Sequence, residues 1–440
     1  MTRLAICADL LDFTAEPAAA QLDAAAVRFR PAHWLLVQGG RIHSVQRDAP
    51  DAALWPCVDR SGHLLLPGFI DSHVHSAQVP VVASWGAQLL DWLNTYTFPA
   101  EAALADAAVA QASAQQFVRA LLAHGTTTAL VFPTVHAAAC EALFEQAHAR
   151  GMRLIAGKVL MDRHAPAALC DASLGQAERE CVDLIERWHG RGRIAYALTP
   201  RFAATSSAAQ LQMAGRLLAA YPGLTMQTHV AENEAEVRWV AELFPQARSY
   251  LDVYARAGLL GERSVLAHGI WLDDTDRAVL RDSGAQLVHC PGSNLFLGSG
   301  LFNWAQARDA GVKVSLGSDV GGGTSLSMQR TLAAAYQVQA LQGDRMSAWQ
   351  LLHAATRGAA LNLGLGDEIG SLEPGHMADF CLWRWATSDV ARQRQERAQH
   401  LHERVFAWLM LGDERDLVQT YVAGQAQLPQ LPPTPQGLPC

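Results

Sequence analysis

Four short apolar runs end on residues that can hold a metal ion and move protons. The first, Pro67-Gly68-Phe69-Ile70-Asp71-Ser72-His73-Val74-His75, closes on two histidines. Alternate residues of a strand point to one face, so His73 and His75 face the same way. Two imidazoles on one face can share a metal ion. His-x-His alone is weak, because structural pairs are common. Three further runs strengthen it: Gln227-Thr228-His229-Val230-Ala231-Glu232, Ala267-His268-Gly269 and Gly317-Ser318-Asp319. Any one of these could be a polar residue satisfied at a strand terminus. All of them together, beside His-x-His, point to one shared site. A metal held there would lower the pKa of water from about 15.7 towards 7 and make hydroxide available for hydrolysis.

Such residues must be brought together by a scaffold. Short β-rich runs occur at Leu64–Ile70, Thr126–Phe132, Arg153–Val159, Arg193–Leu198, Leu224–His229, Ser264–His268, Gln286–Cys290 and Val312–Ser318. Longer stretches between them, such as Ala102–His124 and Ala208–Ala220, have helical propensity and length. Alternating strands and helices predict a parallel sheet with crossover helices. Eight units over roughly 250 residues predict a (β/α)8 TIM-type barrel, whose active site forms at the C-terminal ends of the strands. The candidate residues lie at those ends. Val74–Pro99 reads as a long loop, a feature often functional in a compact domain. Residues 1–66 do not fit the barrel. Strand-like pieces at His33–Val37 and Arg41–Val45 flank the hairpin signal Gly39-Gly40. Two late strands are expected at Asp379–Trp383 and Leu417–Val422. The predicted fold is therefore α/β, a barrel over 67–370 with a small β-sandwich domain formed from both chain ends, 1–66 and 371–440. The tail Leu428–Cys440, rich in Pro, Gln and Gly, is expected to be poorly ordered.

Composition narrows the function. The 440 residues are 50% hydrophobic and 17% charged, with a net charge of −8. This is globular, and the modest acidity argues against nucleic-acid binding. Asp9 and Asp12 interrupt the N-terminal apolar stretch, so no signal-peptide core is expected, and no run suits a membrane span. The eight cysteines are scattered without a C-x-x-C pair, which predicts buried free thiols in a reducing cytoplasm. The lack of C-x-x-C also excludes the H-x-E, P-C-x-x-C type of zinc deaminase.

These strand-end residues resemble the amidohydrolase superfamily in its mononuclear deaminase branch. More specific segments are similar to the guanine deaminases: Ser84-Trp85-Gly86 through Leu89-Leu90-Asp91-Trp92-Leu93-Asn94-Thr95-Tyr96-Thr97-Phe98-Pro99-Ala100-Glu101, Leu198-Thr199-Pro200-Arg201-Phe202, His289-Cys290-Pro291-Gly292-Ser293-Asn294-Leu295, and Gly317-Ser318-Asp319-Val320-Gly321-Gly322-Gly323 through Ser327-Met328. The resemblance implies hydrolysis of guanine to xanthine and ammonia in purine catabolism. It implies one metal per chain, zinc with ferrous iron as the alternative, on His73, His75, His229 and Asp319. By the same resemblance Asp319 accepts the water's proton, and His268 polarises the substrate or steadies the tetrahedral intermediate. Glu232 shuttles protons to a ring nitrogen and to departing ammonia. Its competing reading is an ordinary Glu near a helix start. Arg201 and Gln78 would bind the purine edge, and Phe202 would stack on or abut the base, or contribute mainly its backbone. His229, Glu232, His268 and Asp319 would also touch it. Glu234 and Glu236 read as solvated helix charges. Trp85, Trp92 and Phe98 could cap the pocket or pack the long loop. Lys158 falls on the third strand, whereas a bridging carbamylated lysine would sit on the fourth. The resemblance also suggests a homodimer. Competing activities are deamination of 8-oxoguanine, a pterin or a triazine, and a scaffold that has lost catalysis. Retention of every ligand argues against the scaffold.

Overall fold

The computed structural model describes residues 3–18, 25–85 and 89–427, and two sheets organise them. The first four strands are β1 (Arg3–Phe13), β2 (Val27–Gln38), β3 (Arg41–Gln46) and β4 (Cys57–Pro67). Next come β5 (Phe69–His75), β6 (Thr126–Phe132), β7 (Arg153–Ala156), β8 (Val159–Leu160) and β9 (Ile194–Pro200). The chain continues with β10 (Thr225–Val230), β11 (Ser264–His268), β12 (Gln286–His289) and β13 (Lys313–Leu316). The last three are β14 (Phe380–Trp383), β15 (Leu417–Val422) and β16 (Gln425–Gln427).

The barrel runs β5-β6-β7-β9-β10-β11-β12-β13, all neighbours parallel, with the short β8 paired to β9. It closes between the first and last strands at the candidate site itself. Asp319 N donates to His73 O at 2.8 Å, and His75 N donates to Val320 O at 2.7 Å. Backbone closure thus places Asp319 beside both histidines.

Both chain ends build the other sheet, ordered β16-β15-β14-β4-β1-β2-β3. The expected small β unit takes the form of one continuous mixed sheet. Its residues alternate with period two: Leu64 and Leu66 of β4 join the barrel's core, while Leu65 joins Ile6, Leu10, Phe380 and Leu382 on the other face. β1, not singled out by sequence, is an interior strand of this sheet. The charges that disguised it are buried partners, for Arg28 donates to Asp12 at 2.9 and 2.5 Å and Leu372 N donates to Asp12 Oδ2 at 2.7 Å.

Three expectations need correction. The run Leu64–Ile70 is not one strand. It splits at Gly68, with Leu64–Pro67 in the small sheet and Phe69 onward in the barrel. A Cβ at Gly68 would lie 2.1 Å from Thr127 Oγ1, so only glycine lets the chain pass between the sheets there. Arg153–Val159 likewise breaks at Gly157-Lys158, where a Cβ on Gly157 would meet the Ala197 carbonyl at 1.7 Å. The segment after β5 is not a plain loop. It holds a helical turn at Ser76–Val81, which contains Pro80, and the abutting helical pieces Leu89–Trp92, Leu93–Thr97 and Phe98–Ala102, the last with Pro99 in its first turn. The following long helix, Ala107–Ala123, starts where the Asp106 side chain accepts from Ala108 N and Val109 N. Gly86 and the tail Leu428–Cys440 lie outside the described residues. Among those described, no helix is long and apolar enough to cross a membrane.

Candidate active site

His73 and His75 leave β5 two residues apart and enter the same space. His229 enters it from the end of β10 and Asp319 from the turn after β13. Their ligand-type atoms all lie within 4.8 Å of one another. Asp319 Oδ1 is 3.2 Å from His73 Nε2 and 3.3 Å from His75 Nε2. His75 Nε2 and His229 Nε2 are 3.2 Å apart. His229 Nδ1 donates to the Arg201 carbonyl at 2.7 Å, which leaves its Nε2 with a free lone pair. His73 Nε2 is buried without a hydrogen-bond partner. Burial holds His75 below the ordinary imidazole range and His229 well below it, so both favour the neutral, ligating form. Asp319 is buried too, yet the adjoining His73 keeps its carboxylate well below its usual range. The neutral imidazoles of His75 and His229, converging with His73 on an ionised carboxylate, fit a divalent cation.

A second pair stands beside this group. His268 Nε2 lies 3.4 Å from Glu232 Oε2 and 3.8 Å from Asp319 Oδ2. Asn294 Nδ2 donates to His268 Nδ1 at 2.9 Å and orients the ring. Burial lowers His268 to about 3, so it is neutral. Glu232 is raised well above its ordinary value, first by burial and then by the Asp319 charge. It is held by Ser299, whose Oγ donates to Oε1 at 2.8 Å. His268 and Asp319 both take positive φ, 73° and 48°. Left-handed backbone at non-glycine residues is strained and concentrates at functional sites. Asp71 braces the turn: it accepts from Ser318 N at 2.9 Å and Ser318 Oγ at 2.5 Å, and from His73 N at 3.3 Å.

The group opens into a partly enclosed cavity. Gln78, Arg201, Phe202, His229, Glu232 and His268 line it with Asp319. Gln78 comes from the turn after β5, and Arg201-Phe202 follow β9. All three are buried.

The profile of the Amidohydrolase family matches residues 64–425. The chain belongs to this family. It is 42% identical to the guanine deaminase of Escherichia coli over 408 residues, 91% of this chain and 92% of that protein. It is 32% identical to the mouse (Mus musculus) guanine deaminase, across 85% of this chain and 86% of the mouse protein. The solved E. coli guanine deaminase superposes with a TM-score of 0.93 at 41% identity, covering 97% of this chain and 99% of that one. A guanine deaminase from C. acetobutylicum, with guanine bound in its active site, superposes at 0.87 and 26% identity, covering 97% and 100%.

Every candidate site residue of this amidohydrolase falls in or beside the one cavity. Several neighbours escaped the sequence reading. Glu236 is no solvated charge, because its carboxylate completes a capping box. Oε2 accepts from Glu232 N and Asn233 N, Tyr250 OH donates to Oε1 at 2.6 Å, and the side chain lines the cavity. The N-cap Asn followed by Glu three residues on was the available signal. Glu234 is exposed, as expected, 3.7 Å from Arg238. Trp92 and Leu93 line the cavity, Phe98 packs behind it and Trp85 is exposed. Ser299 and Glu101 were missed as contacts, and no spacing rule points to either. Lys158 is buried against Asp171 and Glu180 rather than in the site. Five of the seven described free cysteines are buried, but Cys57 is exposed and Cys170 half-buried, contrary to a uniformly buried set.

Proposed function

We propose that this chain is a guanine deaminase, hydrolysing guanine to xanthine and ammonia. The observation that carries the reading is 42% identity with a guanine deaminase over 91% of the chain, joined to a cavity that presents Arg201 and Gln78 beside the His-Asp group. We propose that His73, His75, His229 and Asp319 hold the family's metal, one ion per chain. Three imidazoles and a carboxylate suit zinc, with ferrous iron as the alternative. When bound, the ion supplies Lewis acidity and water of lowered pKa.

The chain's own residues supply the rest. Arg201 donates to the oxygen-bearing edge of the base, Gln78 reads the neighbouring edge, and Phe202 packs against the ring. Glu232, whose protonated form burial favours, gives its proton to the ring nitrogen next to the carbon under attack. Asp319 accepts the proton of the incoming water. Glu232, ionised by that transfer, takes the proton of the added hydroxyl as the carbonyl forms and passes it to the departing amine, which leaves as ammonia; the proton held on Asp319 then returns Glu232 to its acid form. Neutral His268 Nε2 faces both carboxylates and steadies the oxygen added to the tetrahedral carbon. We propose a homodimer, from the family resemblance, and a cytoplasmic location, which the free thiols suit.

The test is ammonia release from guanine by metal-replete protein, with ultraviolet detection of xanthine. Turnover above about 1 s⁻¹, abolished by chelation, is expected. No turnover with metal present would overturn the guanine assignment and send the search to 8-oxoguanine and pterins.

A further inference from the structure

Glu101 lies in the short helix Phe98–Ala102 in the long segment after β5 and is wholly buried. It is not among the residues lining the cavity. Both of its oxygens accept from Arg201 Nη1, at 2.7 and 2.6 Å. Oε1 also accepts from Gln78 Nε2 at 2.9 Å. One carboxylate therefore holds Gln78 and Arg201, which line the cavity from turns after different strands. Other contacts complete the clamp. The Phe98 ring lies 5.3 Å from the Arg201 guanidinium carbon. Thr134 Oγ1 donates to the Glu101 carbonyl at 3.3 Å and ties the helix to the end of β6.

This arrangement sets hydrogen-bond polarity as well as position. With Nη1 engaged, Arg201 keeps Nε and Nη2 as donors. With Nε2 drawn to Glu101, Gln78 is fixed against flipping. Its Oε1, which accepts from Gly321 N at 3.3 Å, keeps acceptor capacity on the other side. A fixed donor beside a fixed acceptor matches a base with a carbonyl next to a ring N–H. It opposes a base with an amine next to a bare ring nitrogen. Guanine is the first kind at its six-position edge, and 2,6-diaminopurine is the second.

We propose that Glu101 is the positioning residue for base recognition, setting the orientation of Arg201 and Gln78 and with it the preference for an oxo over an amino group at position six. The proposal rests on the guanine reading above. Glu101→Gln tests it with nearly the same volume. The amide nitrogen is a donor where a carboxylate oxygen accepted: at the Oε2 place it faces an Arg201 N–H, at the Oε1 place it faces the Gln78 amide as well, and in either orientation the charge that anchors the guanidinium is gone. Because Arg201 and Gln78 grip the base throughout the reaction, their misplacement falls on KM rather than kcat.

The parent is assayed first, and absence of guanine turnover there fails the guanine reading rather than this proposal. Metal per chain, melting temperature, kcat and KM for guanine are then compared, with the Ki of 2,6-diaminopurine as competitor. The expected result for Glu101→Gln is a folded protein with full metal, kcat within threefold and KM raised at least tenfold. The ratio of Ki for 2,6-diaminopurine to KM for guanine should fall at least tenfold. If Glu101→Gln does not fold, Glu101→Asp, which keeps the charge but reaches one partner fewer, is read on the same terms. KM and the Ki ratio both within twofold of the parent would overturn the proposal. So would a fall in kcat with KM unchanged, or failure of both variants to fold, either of which makes Glu101 a purely structural residue.

Discussion

Removing the Ser299 hydroxyl isolates what orients the Glu232 carboxyl. Ser299 Oγ donates to Glu232 Oε1 at 2.8 Å, and both residues are buried. The backbone there is held independently, since Ser299 N donates to Asn294 O at 2.9 Å and Trp271 Nε1 donates to Ser299 O at 3.0 Å. Ser299→Ala keeps these and deletes one oxygen. Leaving a buried acceptor without its donor costs about 1–3 kcal/mol. If that loss falls on the step in which Glu232 transfers its proton, kcat drops by roughly 5- to 150-fold, at 1.36 kcal/mol per tenfold. The hydroxyl does not line the cavity, so KM for guanine should stay within twofold. Steady-state kinetics on metal-replete variant and parent, with metal content measured alongside, provides the assay. A kcat within twofold of the parent at full metal occupancy would refute the claim that Ser299 orients the proton carrier. A KM increase with kcat unchanged would place the hydroxyl in substrate binding instead.

Glu232→Gln should retain the metal but lose at least about a hundredfold in kcat, the usual scale for a general acid–base; activity within threefold of the parent would remove Glu232 from the mechanism. His73→Ala leaves three of four candidate ligands and should purify without tightly bound metal, so stoichiometric metal by elemental analysis would refute the assignment. Acid should destabilise the fold through His353, which burial lowers from 6.5 to about 4. The unfolded chain binds that proton more readily than the native one, so its contribution is complete above about pH 6.5 and is lost as pH falls through 4. The amount is about 3 kcal/mol, by 1.36 kcal/mol per pKa unit. Denaturant midpoints from pH 7 to 4 should fall less steeply for His353→Gln than for the parent, and parallel curves would contradict this.

The linear pattern already carried the barrel and its cluster of imidazoles and carboxylates. β-rich runs alternate with helical stretches, and a parallel strand followed by a helix has few ways to pack. His73, His75, His229, His268 and Asp319 each terminate such a run, so barrel topology sends them to one rim whatever the details of packing. The N-terminal strand was hidden because Asp9 and Asp12 break its apolar pattern, and their partners lie elsewhere in the chain, Arg28 and Leu372 for Asp12.

What the amino-acid sequence determined by itself was local: strand periodicity, the glycine and proline breaks, and the residue types at strand ends. Tertiary structure alone decided which separate residues share one proton or one charge. Glu101 meets Gln78 across 23 positions and Arg201 across 100, and Ser299 meets Glu232 across 67. No periodicity links such positions. They meet because a closed barrel brings the turns after different strands to one rim, and a buried carboxylate there must find donors within hydrogen-bond reach or be left unpaired.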